Sequence, residues 1–254
     1  MRGCLMVDWP VFVLTLPGDD ARRAPLMAQL DASGVRAQLI FGVDGRRGLP
    51  AGCEAEIDRD AARIHMGRNM TDGEFACALS HRAIYRRVLD EGLPGAIILE
   101  DDAILQPGFD TVVREPRLAE MPLVLMDYAY GRALPLTGRP VGSVTAHRVA
   151  LSCTMANAYF ISATGAAALL RASTPVTRCA DWPCCLYGVK AWMLSPRLVG
   201  HQPPGDGRVS HLDAGRDAVA SNRVRPGRPA GSGAVSEWVR RRISVRVGRE
   251  KGQR

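Results

Sequence analysis

With 254 residues, 46% of them hydrophobic, the chain can bury one sizeable core, and we expect an α/β domain. No apolar run approaches the roughly 20 residues that span a bilayer, and Asp8 and Pro10 interrupt the apolar N-terminal residues, so we expect a cytoplasmic protein without a signal peptide. Of the net charge of +7, a net +6 lies in residues 238–254, where seven basic residues accompany one glutamate, and the nearly neutral remainder argues against a nucleic-acid-binding face.

The beginning of the chain predicts a strand–helix–strand unit. Residues 11–16 are almost wholly apolar and β-branched, as in a buried strand. Residues 17–20 turn the chain and supply a helix cap, and the following helix should end at Gly34. Residues 37–41 form the second strand, which predicts a βαβ unit with two parallel strands.

A second helix begins with a capping box. Thr71 occupies its N-cap and Glu74 its third position, and the helix should stop at Gly92. Glu74, Cys77 and His81 recur at spacings of three and four and therefore share one face. Part of that face continues into apolar residues, so a packed structural face is the alternative to a binding face.

The most informative stretch is a short apolar strand, residues 96–99, that ends in Glu100, Asp101 and Asp102. Ligands of α/β sheets bind beyond the carboxyl ends of the strands. Because side chains alternate along a strand, Glu100 and Asp102 should project to one side and Asp101 to the other. Two hard oxygen donors suit Mg²⁺ or Mn²⁺, especially with phosphates. We therefore expect a metal and nucleotide site here, with a solvated acidic turn as the alternative.

The second half of the chain contains three further predicted strands, at residues 123–126, 158–161 and 191–194. Ser162 should cap a helix after the second of them. Residues 128–148 are punctuated by glycine and proline and predict a loop that covers a site.

The seven cysteines form an odd set without paired zinc-ligand spacing. Cys179, Cys184 and Cys185 are the only cluster among them. We expect reduced, largely buried thiols rather than metal ligands.

Taken in order, these segments resemble glycosyltransferase family 25, the bacterial lipopolysaccharide or lipooligosaccharide galactosyltransferase type. The resemblance covers roughly residues 11–212. Its most specific part is the motif Glu-x-x-Cys-x-x-Ser-His on the second helix, residues 74–81, followed by Leu-Glu-Asp-Asp at residues 99–102. The other matching parts are residues 11–16 with Arg22 and Arg23, residues 41–45, residues 158–162 with Gly165 and Ala166, Asp181 with Trp182, and Ser210.

The resemblance implies a GT-A-like, nucleotide-sugar-binding α/β fold with a mostly parallel central sheet flanked by helices. It implies transfer of a hexose, usually galactose from UDP-galactose, onto a saccharide acceptor of lipopolysaccharide or a related glycan. The expected cofactor is a divalent cation, Mn²⁺ with Mg²⁺ as the alternative.

Residue roles carry over from the same resemblance. Asp102 and Glu100 would bind the metal. Asp181 is the candidate catalytic base, with a helix N-cap as the alternative, and Trp182 beside it would offer an apolar face to a sugar ring. The donor pocket would be lined by Thr15, Arg22, Arg23, Glu74, Ser80, His81, Glu100 and Asp101. Thr15 stands where the family usually has Asn, and its hydroxyl can still hydrogen-bond a base edge.

The C-terminal residues are expected to form a separate segment. Residues 227–233 are rich in Gly, Pro and Ser, which predicts a linker between a catalytic domain, residues 1–226, and a basic tail within residues 227–254. Beyond the linker, Trp238 and arginines flank an apolar stripe of Val235, Val239, Ile243 and Val247. This pattern predicts an amphipathic helix on an anionic membrane surface, where lipid-linked acceptors would be found. The alternative is a solvated basic C-terminus.

Two other function classes remain open. A nucleotidyltransferase could use the same metal site, but it would normally carry a basic, Gly-rich loop after the first strand, where this chain has the acidic residues 17–20. A non-catalytic, membrane-associated nucleotide-binding protein is the other alternative.

Overall fold

The computed structural model describes residues 7–201 and 233–248. An eight-stranded central sheet has the spatial order β2 (Gln38–Phe41), β1 (Val11–Thr15), β3 (Gly95–Glu100), β9 (Ala158–Ser162), β5 (Leu123–Leu125), β10 (Trp192–Ser195), β8 (Val144–Arg148) and β7 (Arg139–Val141). Two smaller sheets pair β4 (Ala103–Leu105) with β11 (Val199–His201) and β6 (Arg132–Ala133) with β12 (Val245–Arg246).

Helices lie between the strands along the chain and cover the central sheet. The α-helices are α1 (Asp20–Ala32), α2 (Arg59–Met66), α3 (Asp72–Asp90), α4 (Phe109–Val112), α5 (Ala163–Ala172) and α6 (Gly233–Ile243). Two 3₁₀ helices lie at Cys53–Glu56 and Pro116–Glu120. None of the described helices is long and apolar enough to cross a membrane.

Six of the eight central strands run in the same direction. β1 pairs in parallel with β2 and β3, and β5 pairs in parallel with β10. β9 runs antiparallel between β3 and β5, and β8 runs antiparallel between β10 and β7. The predicted α/β class with a mostly parallel sheet is confirmed, as is the βαβ unit formed by β1, α1 and β2.

The sheet is buried on both faces because alternate side chains of its strands enter two different cores. Val11 and Val13 of β1 pack on the face covered by α1, in a cluster that includes Leu26. Phe12, the residue between them, packs on the opposite face, in a cluster that includes Ile84 of α3 and residues of α5. A sheet covered on both sides leaves its strand ends as the place where polar groups can gather.

The prediction that residues 128–148 form a loop covering a site is wrong over much of this range. β7 and β8 form a hairpin at the edge of the sheet opposite β2, with Gly142 in the left-handed region at φ +54°. Val141, Val144 and Ala146 are buried in the core. Their apolar side chains explain why this glycine- and proline-containing stretch joins the sheet.

The C-terminal segment packs against the main domain. β12 pairs with β6, and Arg240 of α6 donates to the Ala150 carbonyl at 3.0 Å. Its guanidinium lies 4.0 Å from the ring centre of Tyr187. Because α6 ends at Ile243, Val247 is not on the predicted helical stripe and packs instead against the core. The predicted linker lies outside the described residues up to position 232.

Candidate functional site

A cavity of about 660 Å³ opens at one edge of the central sheet. Its walls include Thr15 at the end of β1, Gly42 after β2 and Glu100 at the end of β3. These three strands are parallel, so their carboxyl ends meet at one edge. The antiparallel β9 presents its amino end there, preceded by Asn157. The cavity therefore lies where the sequence predicted a ligand site.

The acidic residues at the end of β3 are bound to α1 and β1. Asp101 accepts hydrogen bonds from the Thr15 hydroxyl at 2.8 Å and from Arg22 Nε at 2.5 Å. Arg22 Nη2 also donates to Asp102 at 2.9 Å. Burial alone would lower the pKa of the Arg22 guanidinium, but Asp102 and Asp101 outweigh it and the pKa is raised. A permanently charged guanidinium thus compensates two adjacent carboxylates.

The expected alternation of the acidic side chains is wrong. β3 ends at Glu100, and Asp101 and Asp102 form a turn before β4. Glu100 and Asp101 both line the cavity, whereas Asp102 is not among the described lining residues. Strand alternation cannot be extended into a turn, which explains the difference. The metal-binding role of Asp102 stays a prediction.

Glu74 lines the cavity and is nearly fully buried. The predicted capping box is confirmed: Thr71 Oγ1 accepts from the Glu74 amide, and Glu74 Oε2 accepts from the Thr71 amide, each at 3.1 Å. Arg68 donates to the two Glu74 oxygens at 2.7 and 2.6 Å. These bonds give Glu74 a clear structural role at the amino end of α3.

Ser80 connects α3 to the end of β2. Its hydroxyl donates to the Ala76 carbonyl at 2.7 Å and accepts from the Val43 amide at 2.8 Å. A Cβ atom on Gly42 would lie 2.6 Å from Ser80 Oγ, so glycine is required for this close approach. Ser80 therefore shapes the cavity wall that it lines.

Two of the predicted donor-binding residues are not among the described residues that line the cavity. His81 is buried, with Nδ1 2.8 Å from the Tyr159 hydroxyl and Nε2 3.3 Å from Glu100 Oε1. Arg23 forms an ion pair with Asp20. His81 thus touches the cavity through Glu100, and Arg23 faces elsewhere.

Asp181 lines the cavity from a loop after α5. Its Oδ1 accepts from the Met155 amide at 3.1 Å. The helix N-cap alternative fails because no helix follows Asp181 in the described chain before β10. Trp182 is buried at φ +95° and packs edge-on against Tyr159, with ring centres 5.3 Å apart. The expectation that Trp182 offers its face to a sugar is therefore wrong.

A polar network on the cavity wall was not predicted from the sequence. His201 lines the cavity, and its Nδ1 lies 3.0 Å from Oδ2 of Asp127, a carboxylate with no solvent exposure. Asn157 Nδ2 donates to the same oxygen at 3.1 Å. Among the described residues, Asn157 Oδ1 is buried with no hydrogen-bond partner. Asp127 could have been found as a carboxylate after a buried strand, whereas His201 carries no local signal.

A family model matches a part of the chain that builds most of this edge. Residues 8–130 match the model described as "Glycosyltransferase family 25 (LPS biosynthesis protein)". Residues 8–130, just under half of the chain, are similar to glycosyltransferase family 25. The family 25 segment contains the acidic residues after β3, Arg22 and the α3 face. Asp181 and His201 lie beyond it, and Ser210 lies outside the described residues.

Individual relatives match over similar stretches. A rat protein named "Probable inactive glycosyltransferase 25 family member 3" is 31% identical over 103 residues, which is 39% of this chain and 18% of the rat protein. Procollagen galactosyltransferase 1 of Danio rerio is 30% identical over 95 residues, 36% of this chain and 16% of that protein. The "Lacto-N-neotetraose biosynthesis glycosyltransferase LgtE" of Neisseria meningitidis is 30% identical over 93 residues, 37% of this chain and 32% of that protein. Because the rat relative is named inactive, similarity to the family does not decide activity.

Arg22 and Arg23 offer a matched test of the site electrostatics. Arg22→Gln removes the positive charge beside Asp101 and Asp102 in a partly buried turn, so we expect the free energy of unfolding at pH 7 to fall by about 2–3 kcal/mol. Arg23→Gln removes an ion pair with the exposed Asp20 and should cost about 1 kcal/mol or less. Urea denaturation measures both. Equal losses would contradict the compensating role of Arg22.

Proposed function

We propose that the protein is a glycosyltransferase that moves a hexose from a nucleotide sugar to a saccharide hydroxyl. The observation that carries this proposal is the cavity where Arg22, Glu100 and Asp101 meet at the sheet edge and Asp181 approaches from a separate loop. A volume of about 660 Å³ is typical of small-molecule sites. The family 25 match and the names of the Danio and Neisseria relatives favour glycosyl transfer over nucleotidyl transfer.

The proposed donor is a UDP-hexose, with UDP-galactose as the first choice. Thr15 gives its hydroxyl hydrogen to Asp101, so its oxygen is left as an acceptor, which suits the N–H of a uracil edge. Arg22 supplies a fixed positive charge next to the cavity for a diphosphate. The buried acceptor of Asn157 suits a sugar hydroxyl. The proposed acceptor is a lipopolysaccharide-type saccharide, as the family description suggests.

We propose that a divalent cation, Mn²⁺ or Mg²⁺, assists the reaction. The donor set fits such an ion because Glu100 and Asp102 offer hard carboxylate oxygens. Arg22 already compensates Asp102, so it must share or release this carboxylate when an ion is bound. The ion would stabilise the charge on the leaving diphosphate.

Asp181 is the proposed general base. It would take the proton of the acceptor hydroxyl while the hydroxyl oxygen bonds to the anomeric carbon and the bond to the diphosphate breaks. Asp181 and Glu100 lie on different elements, which allows separate acceptor and donor subsites. Lining groups that close the cavity around both substrates would also exclude water and so limit hydrolysis of the donor.

The test of the proposed function is an assay with a panel of nucleotide sugars, a saccharide acceptor and Mn²⁺. A glycosyltransferase should release nucleoside diphosphate and form a glycosylated acceptor, and the activity should vanish with EDTA and return with Mn²⁺. Release of sugar 1-phosphate, with the nucleoside monophosphate moved to the acceptor, would instead indicate a nucleotidyltransferase. Nucleotide binding without turnover would indicate a non-catalytic protein, and full activity in EDTA would remove the cation from the proposal.

The variant Asp181→Asn tests whether Asp181 acts as the general base or takes part in donor binding. We expect transfer to fall by about 10²–10⁴-fold, because the general base is lost, while calorimetry should give UDP affinity near that of the wild type. Asp110→Asn, an exposed change on α4, is the matched control and should alter neither quantity. A large loss of UDP affinity in Asp181→Asn would place Asp181 in the donor site or in a structural role.

We also propose that α6 holds the enzyme on the anionic, cytoplasmic face of the membrane. Trp238, Val239 and Ile243 are exposed on α6, while Arg240 fixes another side of this helix to the main domain. Arg242 lies 4.5 Å from the Trp238 ring centre. Exposed apolar residues beside arginines are typical of a helix in a membrane interface.

Vesicle binding tests this surface without removing the tail. Replacing Trp238 and Ile243 together by Ser should weaken sedimentation with anionic vesicles by about tenfold or more. Ile64→Ser is the control, because Ile64 is 55% exposed on α2 and Trp238 is 56% exposed. Failure of the unmodified protein to bind, or an equal loss in Ile64→Ser, would rule out membrane attachment through α6.

A further inference from the structure

Three different metal-binding groups converge where α3 meets the end of β3. Cys77, His81 and Glu100 each offer one ligand atom, and these atoms all lie within 4.8 Å of one another. Cys77 and His81 are four residues apart, so one helix face presents both, in the i, i+4 spacing of helical zinc ligands. We propose that these residues form a thiolate-containing metal site that takes a soft divalent ion such as Zn²⁺.

The donor set distinguishes this site from an oxygen-only site at the acidic turn. A cysteine thiolate and an imidazole favour Zn²⁺ or Co²⁺ over Mg²⁺ or Mn²⁺. Three protein ligands leave a fourth coordination position, as in zinc sites that bind a water or a substrate atom. Cys77 and Glu100 line the cavity, so a ligand in that fourth position would reach the ion from the cavity. The six cysteines within the described residues carry reduced thiols, which ligation requires.

His81 is already oriented for ligation. Its Nδ1 lies 2.8 Å from the Tyr159 hydroxyl, and its Nε2 is directed at Glu100. Burial raises the pKa of Tyr159 well above its ordinary value, so Tyr159 keeps its proton and remains a neutral partner. In the metal-bound site Nδ1 would donate its hydrogen to the Tyr159 oxygen and Nε2 would face the ion. Outer hydrogen bonds of this kind fix the ring orientation of metal-binding histidines.

This inference does not rest on the proposed transferase function, because metal binding can be measured without a sugar nucleotide. The experiment uses the purified full chain, treated with a chelator, kept reduced and titrated with Co²⁺ alone. One equivalent should bind and produce a thiolate-to-cobalt charge-transfer band together with the strong visible absorption of a tetrahedral site. Excess Zn²⁺ should abolish both signals.

Matched variants assign the ligands. Cys77→Ser should abolish the charge-transfer band, whereas Cys179→Ser should keep it, because Cys179 lines the same cavity but is outside the three-residue cluster. Asp102→Asn should also keep it. A band that survives in Cys77→Ser, or that disappears equally in Cys179→Ser, overturns the proposal. So does cobalt binding that lacks the band and is lost in Asp102→Asn, since it assigns the ion to the acidic turn.

A measurement on the unmodified protein covers the case in which Cys77→Ser does not fold. Zn²⁺ should slow alkylation of Cys77 strongly, and mass spectrometry of the peptides should show little change at Cys179. Equal rates at Cys77 with and without Zn²⁺ would overturn the proposed site.

Discussion

The candidate site depends on one guanidinium held between two carboxylates. Three consecutive acidic residues at a strand end repel one another unless positive charge is supplied. Arg22 supplies it to Asp101 and Asp102 from α1, and Thr15 of β1 adds a hydrogen bond to Asp101. Because these contacts join β1, α1 and the end of β3, they fix the floor of the cavity. The same charge that would bind a diphosphate is therefore part of the folded structure before any ligand arrives.

The wall above that floor is organised by a single helix. Glu74 anchors the start of α3 through Arg68, Ser80 holds the chain that leaves β2, and His81 joins Tyr159 of β9 to Glu100 of β3. The motif Glu-x-x-Cys-x-x-Ser-His thus connects three strands from one helix. Most polar groups of this motif form hydrogen bonds within the protein. The motif therefore has a mainly structural role in shaping the cavity.

Local features of the site could be predicted from sequence, and long-range ones could not. The capping box at Thr71 and the acidic end of β3 depend on residues that are neighbours in the sequence, so both could be predicted from the sequence. His201 reaches the cavity because β11 pairs antiparallel with β4, opposite Ala103, and no local pattern encodes that register. The prediction that Trp182 contacts a sugar is wrong for the same reason, because its packing partner, Tyr159, is distant in the sequence and lies on β9. The orientation of Asp101 and Asp102 was also predicted wrongly, because side chains alternate only within a strand and these two residues lie in the turn after Glu100.

Glu100 belongs to both proposed ion sites and therefore limits whether two ions can be bound at the same time. It ends β3 beside the acidic turn, and it also lies within the cluster that contains Cys77 and His81. A hard ion and a soft ion could both be bound only if the two Glu100 oxygens faced different ions. If a single oxygen set must serve either one, the two ions compete for Glu100, and only one of them is bound. The chemical contrast between thiolate and carboxylate ligands makes that choice depend on the identity of the ion rather than on its charge.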